Sequence, residues 1–254
     1  MREKLKNIPL FKYAIMTART LKYSPGVFRK LGLLRSFFRD YRSYRKLPRN
    51  ESYTLTTGDL FPRIYDKTIG THIDPVYFFQ GCWCAKKIFE ARPAHHYDIA
   101  SQVLMVGIIS QFAPTTMVDI RPLSLALPGL SFIKGDITAL PFKDGEIASL
   151  SSICVIEHIG LGRYGDPLDQ FGTEKAAREL SRVLAKGGSL YISVPVDSEN
   201  KVCFNAHRAF TRDYILSLFK TLTLREEIYI YGNEMKKAYD PKLGFGTGLY
   251  HFTK

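Results

Sequence analysis

The segment Ala176–Pro195, AARELSRVLAKGGSLYISVP, constrains the fold more than any other part of the chain. Leu180, Val183 and Leu184 recur at helical spacing among charged residues, which predicts an amphipathic helix. The glycine pair 187–188 is expected to end this helix, because a helix cap needs a residue that tolerates positive φ. The apolar run LYISV then predicts a buried strand that ends at the proline. A helix leading into a buried strand is half of a βαβ unit, so the segment predicts a parallel sheet covered by helices.

The same alternation of strands and helices continues on both sides of this segment. Seven strands are predicted, at residues 96–100, 116–120, 130–134, 147–156, 190–194, 224–231 and 249–253. Helices are predicted at 101–112 and 212–220, the first of them burying Val103, Leu104, Ile108 and Ile109. The last two strands are expected to form a hairpin. The prediction is therefore a doubly wound, mostly parallel seven-stranded α/β sheet with one antiparallel member.

The positive charge is concentrated at the beginning of the chain. Residues 1–50 contain 14 of the 36 Lys and Arg residues but only 2 of the 24 acidic residues, which leaves 22 of each for the remainder. Residues 26–47 predict a basic amphipathic helix with an apolar stripe of Val27, Leu31, Leu34, Phe38 and Tyr41. Such a helix binds an anionic membrane surface or packs on the globular domain, and the sequence leaves both interpretations open.

The domain organisation follows from composition. Residues 48–75 are rich in Thr, Pro, Gly and Asp and predict a linker, and 77–91 predict a short helix. We therefore divide the chain into a basic helical extension and linker at 1–60 and a globular domain at 61–254. No apolar run reaches the ~18–20 residues that span a bilayer, since the segment 8–18 is too short and contains a lysine. A secretory signal is not expected, and four cysteines without a second pair at metal-ligand spacing favour reduced thiols in a cytoplasmic protein.

Acidic and basic side chains follow the predicted strands at the points where ligands bind in open α/β sheets. Asp98 ends the first strand and Asp119 ends the second, 21 positions later. Asp136 follows the third strand, and the pair 157–158, Glu-His, follows the fourth. A carboxylate at the second position can accept hydrogen bonds from ribose hydroxyls, and one at the third can accept an adenine amine. The alternative is that these acids cap the turns or helices that follow.

The segment 179–195 resembles E-L-x-R-V-L-x-x-G-G-x-L-x-x-x-x-P of class I S-adenosylmethionine (SAM) dependent methyltransferases. That resemblance implies a Rossmann-like fold and a SAM cofactor. The cofactor-binding positions that it implies are Asp98, Ala100, Asp119, Asp136 and Ile137. The family's first loop, D-x-G-x-G-x-G, is here DIASQVL, residues 98–104, so alanine, glutamine and leucine replace all three glycines. Side chains at these positions would crowd a cofactor that approaches the backbone. A non-catalytic protein that has lost its SAM site is therefore an alternative.

The loop 157–169, EHIGLGRYGDPLD, is expected to reach the acceptor. Together with VCFNAHRAFT it resembles a small, functionally uncharacterised group of methyltransferase-like proteins often associated with bacterial surface-polysaccharide synthesis. His158 and His207 are the candidate general bases, with Asp166 next, because methyl transfer to a hydroxyl requires removal of its proton. The candidate residues for binding an acidic or phosphorylated acceptor are Arg163, Tyr164 and Arg208. Each histidine also has a structural interpretation, as a loop anchor, and no metal site is predicted.

The combined prediction is a SAM-dependent O-methyltransferase acting on a sugar of a cell-surface glycan or of its lipid-linked precursor, at the inner face of the membrane. The first alternative is a non-catalytic methyltransferase-like protein that binds a partner in polysaccharide assembly. The second is a nucleic-acid methyltransferase, which the basic extension suggests. Nucleic acid is the less favoured partner, because the N/D-P-P-Y/F tetrapeptide of amino-methylating enzymes does not follow the fourth predicted strand.

Overall fold

A computed structural model describes residues 26–254, and these residues form two compact units that meet between His72 and Ile73. The first 25 residues, which include half of the basic extension and the segment 8–18, lie outside the described residues. We describe each unit by itself.

Within residues 26–72, the described part of the first unit, one helix is followed by mostly irregular chain. Helix α1 spans Val27–Tyr44, in agreement with the predicted helix, and Leu31 and Phe38 of its apolar stripe are exposed. The predicted linker contains a single turn of 3-10 helix at Thr57–Asp59. An ion pair between Lys67 Nζ and Asp40 Oδ2, 3.3 Å long, connects the irregular segment to the helix.

The second unit is an α/β domain built on an eight-stranded sheet. Its helices are α2 (Pro75–Ala91), α3 (Val103–Ile109), α4 (Gly172–Val183) and α5 (Arg212–Leu218). Its strands are β1 (His96–Ile99), β2 (Thr115–Asp119), β3 (Leu130–Lys134), β4 (Ile147–Ile153), β5 (Leu184–Val196), β6 (Lys201–Cys203), β7 (His207–Ala209), β8 (Thr223–Tyr231), β9 (Glu234–Lys236) and β10 (Gly246–Thr253). Strands β6 and β7 form a separate hairpin.

The order of strands in the large sheet is β3-β2-β1-β4-β5-β10-β8-β9. The first five strands are parallel, and β10 pairs antiparallel with both β5 and β8. This is the predicted doubly wound, mostly parallel sheet, with an eighth strand added by the short β8–β9 hairpin. The chain adds β2 and β3 on one side of β1 and then returns to add β4 and β5 on the other side. The direction of strand order therefore reverses between β1 and β4. Ligands of open α/β sheets bind at such a switch point.

Two local predictions are wrong. Helix α4 ends at Val183, before the glycine pair, and strand β5 begins at once with Leu184. Gly188 instead lies where β5 passes an irregularity in its pairing with β4, and a Cβ there would come within 2.9 Å of the Ala185 carbonyl oxygen. Gly188 therefore allows the close approach of β4, since the same Cβ would lie 3.0 Å from the Ala148 carbonyl oxygen, and Gly187 takes a φ of 77° within β5 rather than at the end of a helix.

The second error concerns the buried face of α3. Met105, Val106 and Ile109 are buried, whereas Val103, Leu104 and Ile108 are exposed. Only Ile109 of the four predicted core residues is correct. The segment VLMVGII is apolar at almost every position, so its pattern does not define which face of a short helix is turned inward.

The apolar face of α4 was predicted correctly, and it anchors the sheet. Leu180 and Val183 of α4 are fully buried in the core, and Leu184, predicted in the same helix, is fully buried as the first residue of β5. Burying each such side chain contributes about 1.5–3 kcal/mol to folding. This packing fixes α4 and the loop before it, residues 157–171, relative to the carboxyl ends of β1, β2 and β4.

Candidate active site

Two adjoining cavities lie at the switch point, and both are lined by Ala100, Asp119 and Ile159. The Asp136 cavity, of about 110 Å³, is further lined by residues that follow β2 and β3 and by part of the loop: Ile99, Val118, Ile120, Gly135, Asp136, Ile137, Thr138, Gly160, Asp166, Pro167 and Asp169. The Cys154 cavity, of about 260 Å³, is further lined by Tyr77, Ser101, Gln102, Val103, Arg121, Ile153, Cys154, Val155, His158 and Tyr164. The sheet topology thus brings the predicted acids and the predicted base to one edge.

The first loop keeps a glycine-like backbone at its first glycine position. Ala100 has φ 57°, in the left-handed region, and its N–H donates to the Val118 carbonyl oxygen at 2.8 Å. Alanine in this region costs about 1–2 kcal/mol. Gln102 lines the Cys154 cavity, whereas the side chain of Leu104 is 69% exposed and lines neither cavity. The loop therefore differs from a glycine-rich one mainly by the methyl group of Ala100 and the side chain of Gln102.

Asp98 stabilises this loop from inside the protein. Its buried carboxylate accepts hydrogen bonds from the Ser101 N–H at 3.0 Å, from the Ser101 hydroxyl at 2.7 Å and from the Ser151 hydroxyl. Burial raises the pKa of Asp98 to about 6, although the serine donors act in the opposite direction. Because Asp98 lines neither cavity, its observed contacts are those of a residue that shapes the loop.

Asp119 ends β2 and lines both cavities, and its carboxylate is bound by Arg121. The Arg121 backbone N–H and Nε donate to Oδ1 at 2.8 and 3.2 Å, and Nη2 donates to Oδ2 at 3.1 Å. The guanidinium group lies 4.6 Å from the ring centroid of Tyr164. The sequence analysis did not single out Arg121 or Ile120, although both directly follow the second strand, at the edge where ligands bind.

The far end of the Asp136 cavity combines a carboxylate with apolar walls. Asp136 Oδ1 accepts hydrogen bonds from the Thr138 N–H and hydroxyl, both at 2.8 Å, as a turn-capping aspartate does. The capping interpretation is thus correct for one oxygen of Asp136, while its other oxygen has no hydrogen bond in the described residues. Ile120 and Ile137 line the same cavity. Apolar walls beside a carboxylate suit a planar base that carries an amine donor.

Asp166 organises the loop 157–171. Its carboxylate accepts the N–H groups of Gly160 at 2.7 Å, Gly162 at 3.3 Å and Tyr164 at 3.2 Å. Partial burial alone raises the pKa of Asp166, but these three N–H groups outweigh burial and hold the pKa below its usual value. Its oxygens are engaged in shaping the loop, so Asp166 is poorly placed to remove a proton from an acceptor.

Arg208 holds the same loop from the opposite side. It is 8% exposed, and its guanidinium group donates to the carbonyl oxygens of Ile159 at 2.6 Å and Asp169 at 3.1 Å. These contacts engage it with backbone rather than leaving it open for an acceptor anion. Gly160 has φ 83°, and a Cβ there would lie 2.0 Å from the Asp169 carbonyl oxygen, so only glycine allows the loop to close on itself.

His158 is the candidate base that lines a cavity. Its Nδ1 lies 2.7 Å from the Ala206 carbonyl oxygen, which can only accept, so Nδ1 carries the hydrogen and Nε2 has the free lone pair. Burial, with the neighbouring Arg163 guanidinium, lowers the pKa of His158 to about 4. Arg163 Nη1 donates to the same carbonyl at 2.7 Å and lies over the Tyr164 ring. The imidazole is thus neutral and held in one tautomer.

His207 is placed less favourably. It begins β7, packs at 5.4 Å from the ring of Phe245 and lines neither cavity. Burial, with the Arg163 guanidinium, also lowers its pKa. His207 therefore stays the second candidate, and it lies on the hairpin that positions His158.

Glu157 and Cys154 form a buried polar group behind His158. Glu157 is 1% exposed, its Oε2 has no hydrogen-bond partner, and burial raises its pKa to about 8. Cys154 has φ 53°, and its thiol donates to Gln80 Oε1 of α2 at 3.0 Å. Sequence reasoning missed Cys154 and Tyr77, because it treated the first as an ordinary strand residue and the second as part of a leading helix.

Two absences complete the description of residues 26–254. No group of three or more His, Cys, Asp and Glu side chains is arranged to hold a metal ion there. Within the same range, no helix has both the length and the apolar composition that crossing a membrane requires. All four cysteines are free.

Comparisons with known proteins agree with the fold. Residues 144–240 match a family described as Caenorhabditis protein of unknown function, DUF268. No curated protein sequence is significantly similar to the chain. A solved structure of the Burkholderia thailandensis 1,6-didemethyltoxoflavin-N1-methyltransferase, with 1,6-didemethyltoxoflavin and S-adenosylhomocysteine bound, is similar with a TM-score of 0.50, at 13% identity and over 91% of both chains. The [4+2]-cyclase SpnF is similar with a TM-score of 0.50, at 10% identity, over 68% of this chain and 81% of that chain. The chain thus has the Rossmann-like fold of class I SAM-dependent methyltransferases.

Proposed function

We propose that this protein is a SAM-dependent O-methyltransferase acting on a sugar of a cell-surface glycan or of its lipid-linked precursor. The observation that carries the proposal is the arrangement at the ends of β2 and β3. There the buried carboxylate of Asp119 and the half-free carboxylate of Asp136 border a cavity with isoleucine walls. This arrangement offers acceptors for a ribose diol and an adenine amine on two sides of an apolar cleft.

The residues present fit SAM once Arg121 leaves the Asp119 carboxylate. Asp119 would hold the ribose, and Asp136 with Ile120 and Ile137 would hold the adenine. The left-handed φ of Ala100 keeps the backbone turn that this fold uses next to the cofactor. When bound, SAM supplies an electrophilic methyl group.

His158 supports the acid–base part of the proposal. Its neutral imidazole has Nε2 as the proton acceptor, and it lines the Cys154 cavity beside Tyr164. Burial lowers the pKa of His158 to about 4, so at neutral pH the imidazole is unprotonated and Nε2 is available for the proton that the hydroxyl loses during methyl transfer. Removing this proton is the task of the protein in O-methylation.

The acceptor side of the site has a polar and an apolar part. Arg163 and Tyr164 lie beside His158 and offer a guanidinium group and an aromatic face to a sugar. Leu168, Val202 and Phe204 are exposed and line a groove that shares Gly160 and Asp169 with the Asp136 cavity. A sugar linked to a lipid would place its polar group at His158 and its chain in this groove.

The proposal is tested by titrating the protein with SAM and with S-adenosylhomocysteine in a calorimeter. Removing a hydrogen bond to a charged group typically costs about 1.5–3 kcal/mol. Asp119→Ala should therefore weaken SAM binding about ten- to a hundredfold, by the usual 1.4 kcal/mol per decade. The full-length protein giving no heat and no thermal shift with millimolar SAM would contradict the proposal.

A non-catalytic protein is the second candidate, and two observations favour it. Gln102 stands at a glycine position and lines the cavity, and Arg121 occupies the carboxylate that the ribose would need. The calorimetric experiment separates the two candidates, because a protein of the second kind retains its fold and does not bind SAM.

A further inference from the structure

Arg121 takes up most of the hydrogen-bonding capacity of the carboxylate that a ribose diol would use. A carboxylate accepts about four hydrogen bonds, and Arg121 makes three of those of Asp119, two at Oδ1 and one at Oδ2. The Asp119 side chain is only 5% exposed, so little of its carboxylate is accessible to a second partner from the solvent. Two vicinal hydroxyls need one acceptor site each. The diol therefore cannot bind both carboxylate oxygens unless the guanidinium group leaves.

Tyr164 holds the guanidinium group in this position from the loop side. Its ring centroid lies 4.6 Å from the Arg121 guanidinium carbon, which is within the range of a cation–π contact. The backbone of Tyr164 is itself fixed by its N–H donating to Asp166 Oδ1 at 3.2 Å. The contact thus joins the end of β2 to a loop 43 residues further along the chain.

The size of the Asp136 cavity agrees with a closed state. Its volume of about 110 Å³ is below the roughly 300–1,000 Å³ of sites that hold small-molecule ligands. Arg121 and Tyr164 both line the adjoining Cys154 cavity, and Arg121 binds Asp119, which lines both cavities.

We propose that Arg121 and Tyr164 form a clasp that closes the nucleoside end of the site, and that a ligand with vicinal ribose hydroxyls opens it by replacing Arg121 on Asp119. Arg121 is thereby a positioning residue that decides access to the carboxylate. The identity of the ligand as SAM rests on the proposed function, whereas the clasp itself rests on the contacts of Arg121 and Tyr164.

The binding experiment compares the full-length wild type with Arg121→Ala, using SAM, adenosine and 2′,3′-dideoxyadenosine as probes. Loss of a partly exposed ion pair that competes with the ligand should tighten SAM and adenosine binding about two- to tenfold. Dideoxyadenosine has no diol, so its affinity should not change. Weaker binding of SAM to Arg121→Ala would overturn the proposal, because Arg121 would then be a ligand contact.

The matched control is Arg178→Ala, which removes the same charge from the exposed side of α4. Arg178 makes no hydrogen bond or ion pair of its side chain within residues 26–254, so this variant should bind each probe as the wild type does. Equal tightening in Arg121→Ala and Arg178→Ala would mean that net charge, and not the clasp, controls affinity, and it would overturn the proposal.

A second measurement needs no ligand. Backbone hydrogen exchange at residues 161–165 should become faster in Arg121→Ala and in Tyr164→Ala, and stay near the wild-type rate in Tyr164→Phe, which keeps the aromatic ring. Unchanged exchange in the first two variants would overturn the clasp. Faster exchange together with no binding of SAM or adenosine to any variant would support the contact of Arg121 with Tyr164, but it would overturn the opening by a ribose and contradict the proposed function.

Discussion

His158 Nε2 lies 3.6 Å from Glu157 Oε1, so the candidate base adjoins a buried carboxyl group at the end of β4. Burial raises the pKa of Glu157 to about 8, so its carboxyl group is protonated at neutral pH. Burial also lowers the pKa of His158 to about 4, so its imidazole is neutral there. The pair is therefore uncharged at neutral pH. An uncharged pair of this kind can receive a proton from an acceptor hydroxyl without first losing one.

This geometry predicts the effect of replacing the base. A positioned base typically contributes about 10²–10⁴-fold in rate. His158→Gln should lower turnover by that factor and leave SAM affinity nearly unchanged, because help given in the transition state is not ground-state binding. The measurement is the initial rate of labelled methyl transfer from SAM into a glycan fraction, with calorimetry for affinity.

His207→Gln is the comparison for this prediction. His207 lines neither cavity, so its replacement should reduce turnover less than that of His158. If His207→Gln loses activity while His158→Gln keeps it, the base is His207. Full turnover in both variants would exclude both imidazoles.

Glu157 predicts a pH dependence of stability. Its pKa in the folded protein is about 8, whereas the ordinary value is 4.5, so between these pH values the folded protein holds a proton that the unfolded chain has lost. The contribution of Glu157 to the free energy of unfolding is therefore complete below its ordinary pKa of 4.5, and it is lost as the pH rises through its folded-state pKa of about 8. Glu157→Gln cannot ionise, so its melting temperature should decline less than that of the wild type between pH 4.5 and about 8. At about pH 8 the variant should therefore melt at the higher temperature.

Glu179→Gln tests the sign of that effect. The Arg182 guanidinium, 2.7 Å away, lowers the pKa of the Glu179 carboxyl despite partial burial, so this glutamate stabilises the folded protein when ionised. Its replacement should lower the melting temperature at neutral pH and matter least in acid. Parallel changes in the two variants would show that the buried proton on Glu157 is not the cause.

The edge on which the site lies could be predicted from sequence, because carboxyl ends of parallel strands share one edge and Asp119, Asp136 and His158 each follow a strand. What these side chains do there could not. Asp119 and Arg121 are two residues apart, and only the bend of the chain after β2 turns the guanidinium group back onto the carboxylate. The stacking of Tyr164 on that guanidinium group depends on how a distant loop closes.

The misread elements have a common physical cause. Periodicity defines a helix face only where polar residues interrupt the pattern, as they do around Leu180 in α4 and do not in α3. The glycine pair at 187–188 has two uses, a helix end or a close approach of strands. Choosing between them requires the neighbouring strand.

Ala100 predicts a substitution that increases stability. An alanine at φ 57° is strained by about 1–2 kcal/mol, and glycine removes that strain at a cost of roughly 0.4–1 kcal/mol in unfolded-state entropy. Ala100→Gly should therefore be neutral to about 1.6 kcal/mol more stable in denaturant unfolding. It should also bind SAM more tightly, since a methyl group leaves the cavity wall.

Ala91→Gly provides the contrast for that substitution. Ala91 is an exposed residue at the end of α2, where glycine should cost about 0.5–1 kcal/mol. If Ala100→Gly destabilises as much as Ala91→Gly does, the left-handed conformation at Ala100 is not strained.

From the apolar groove lined by Leu168, Val202 and Phe204 we predict how affinity depends on the length of the acceptor's alkyl chain. Burial of one methylene contributes about 0.8 kcal/mol, which corresponds to about fourfold in affinity. Hexyl, octyl and decyl glucoside, used as monomers, should therefore bind with affinity that rises by up to this factor per methylene. Phe204→Ser should reduce that slope, because the Phe204 ring lines the groove and is 75% exposed.

Phe89→Ser is the matched control for the groove. Phe89 is also exposed, but it lies near the end of α2 that leads into the beginning of β1, at the opposite edge of the sheet. It should leave the chain-length slope unchanged. A slope of zero in the wild type would favour an acceptor without a lipid part.

The basic extension predicts binding to anionic membranes. Residues 1–50 carry 14 basic and 2 acidic side chains, and α1 exposes Leu31 and Phe38 among them. Each Lys or Arg near an anionic surface contributes about 1 kcal/mol, and the attraction fades within a Debye length of about 10 Å at 0.1 M salt. The full chain should co-sediment with vesicles that contain phosphatidylglycerol and should detach as salt is raised.

Deleting residues 1–50 should abolish co-sedimentation while the melting transition of the remaining chain persists. Phe38→Ser should weaken binding at high salt more than at low salt, because it removes only the apolar contribution. If the full chain ignores these vesicles and the truncated chain precipitates, the apolar stripe serves packing within the protein, and the positive charge has another partner.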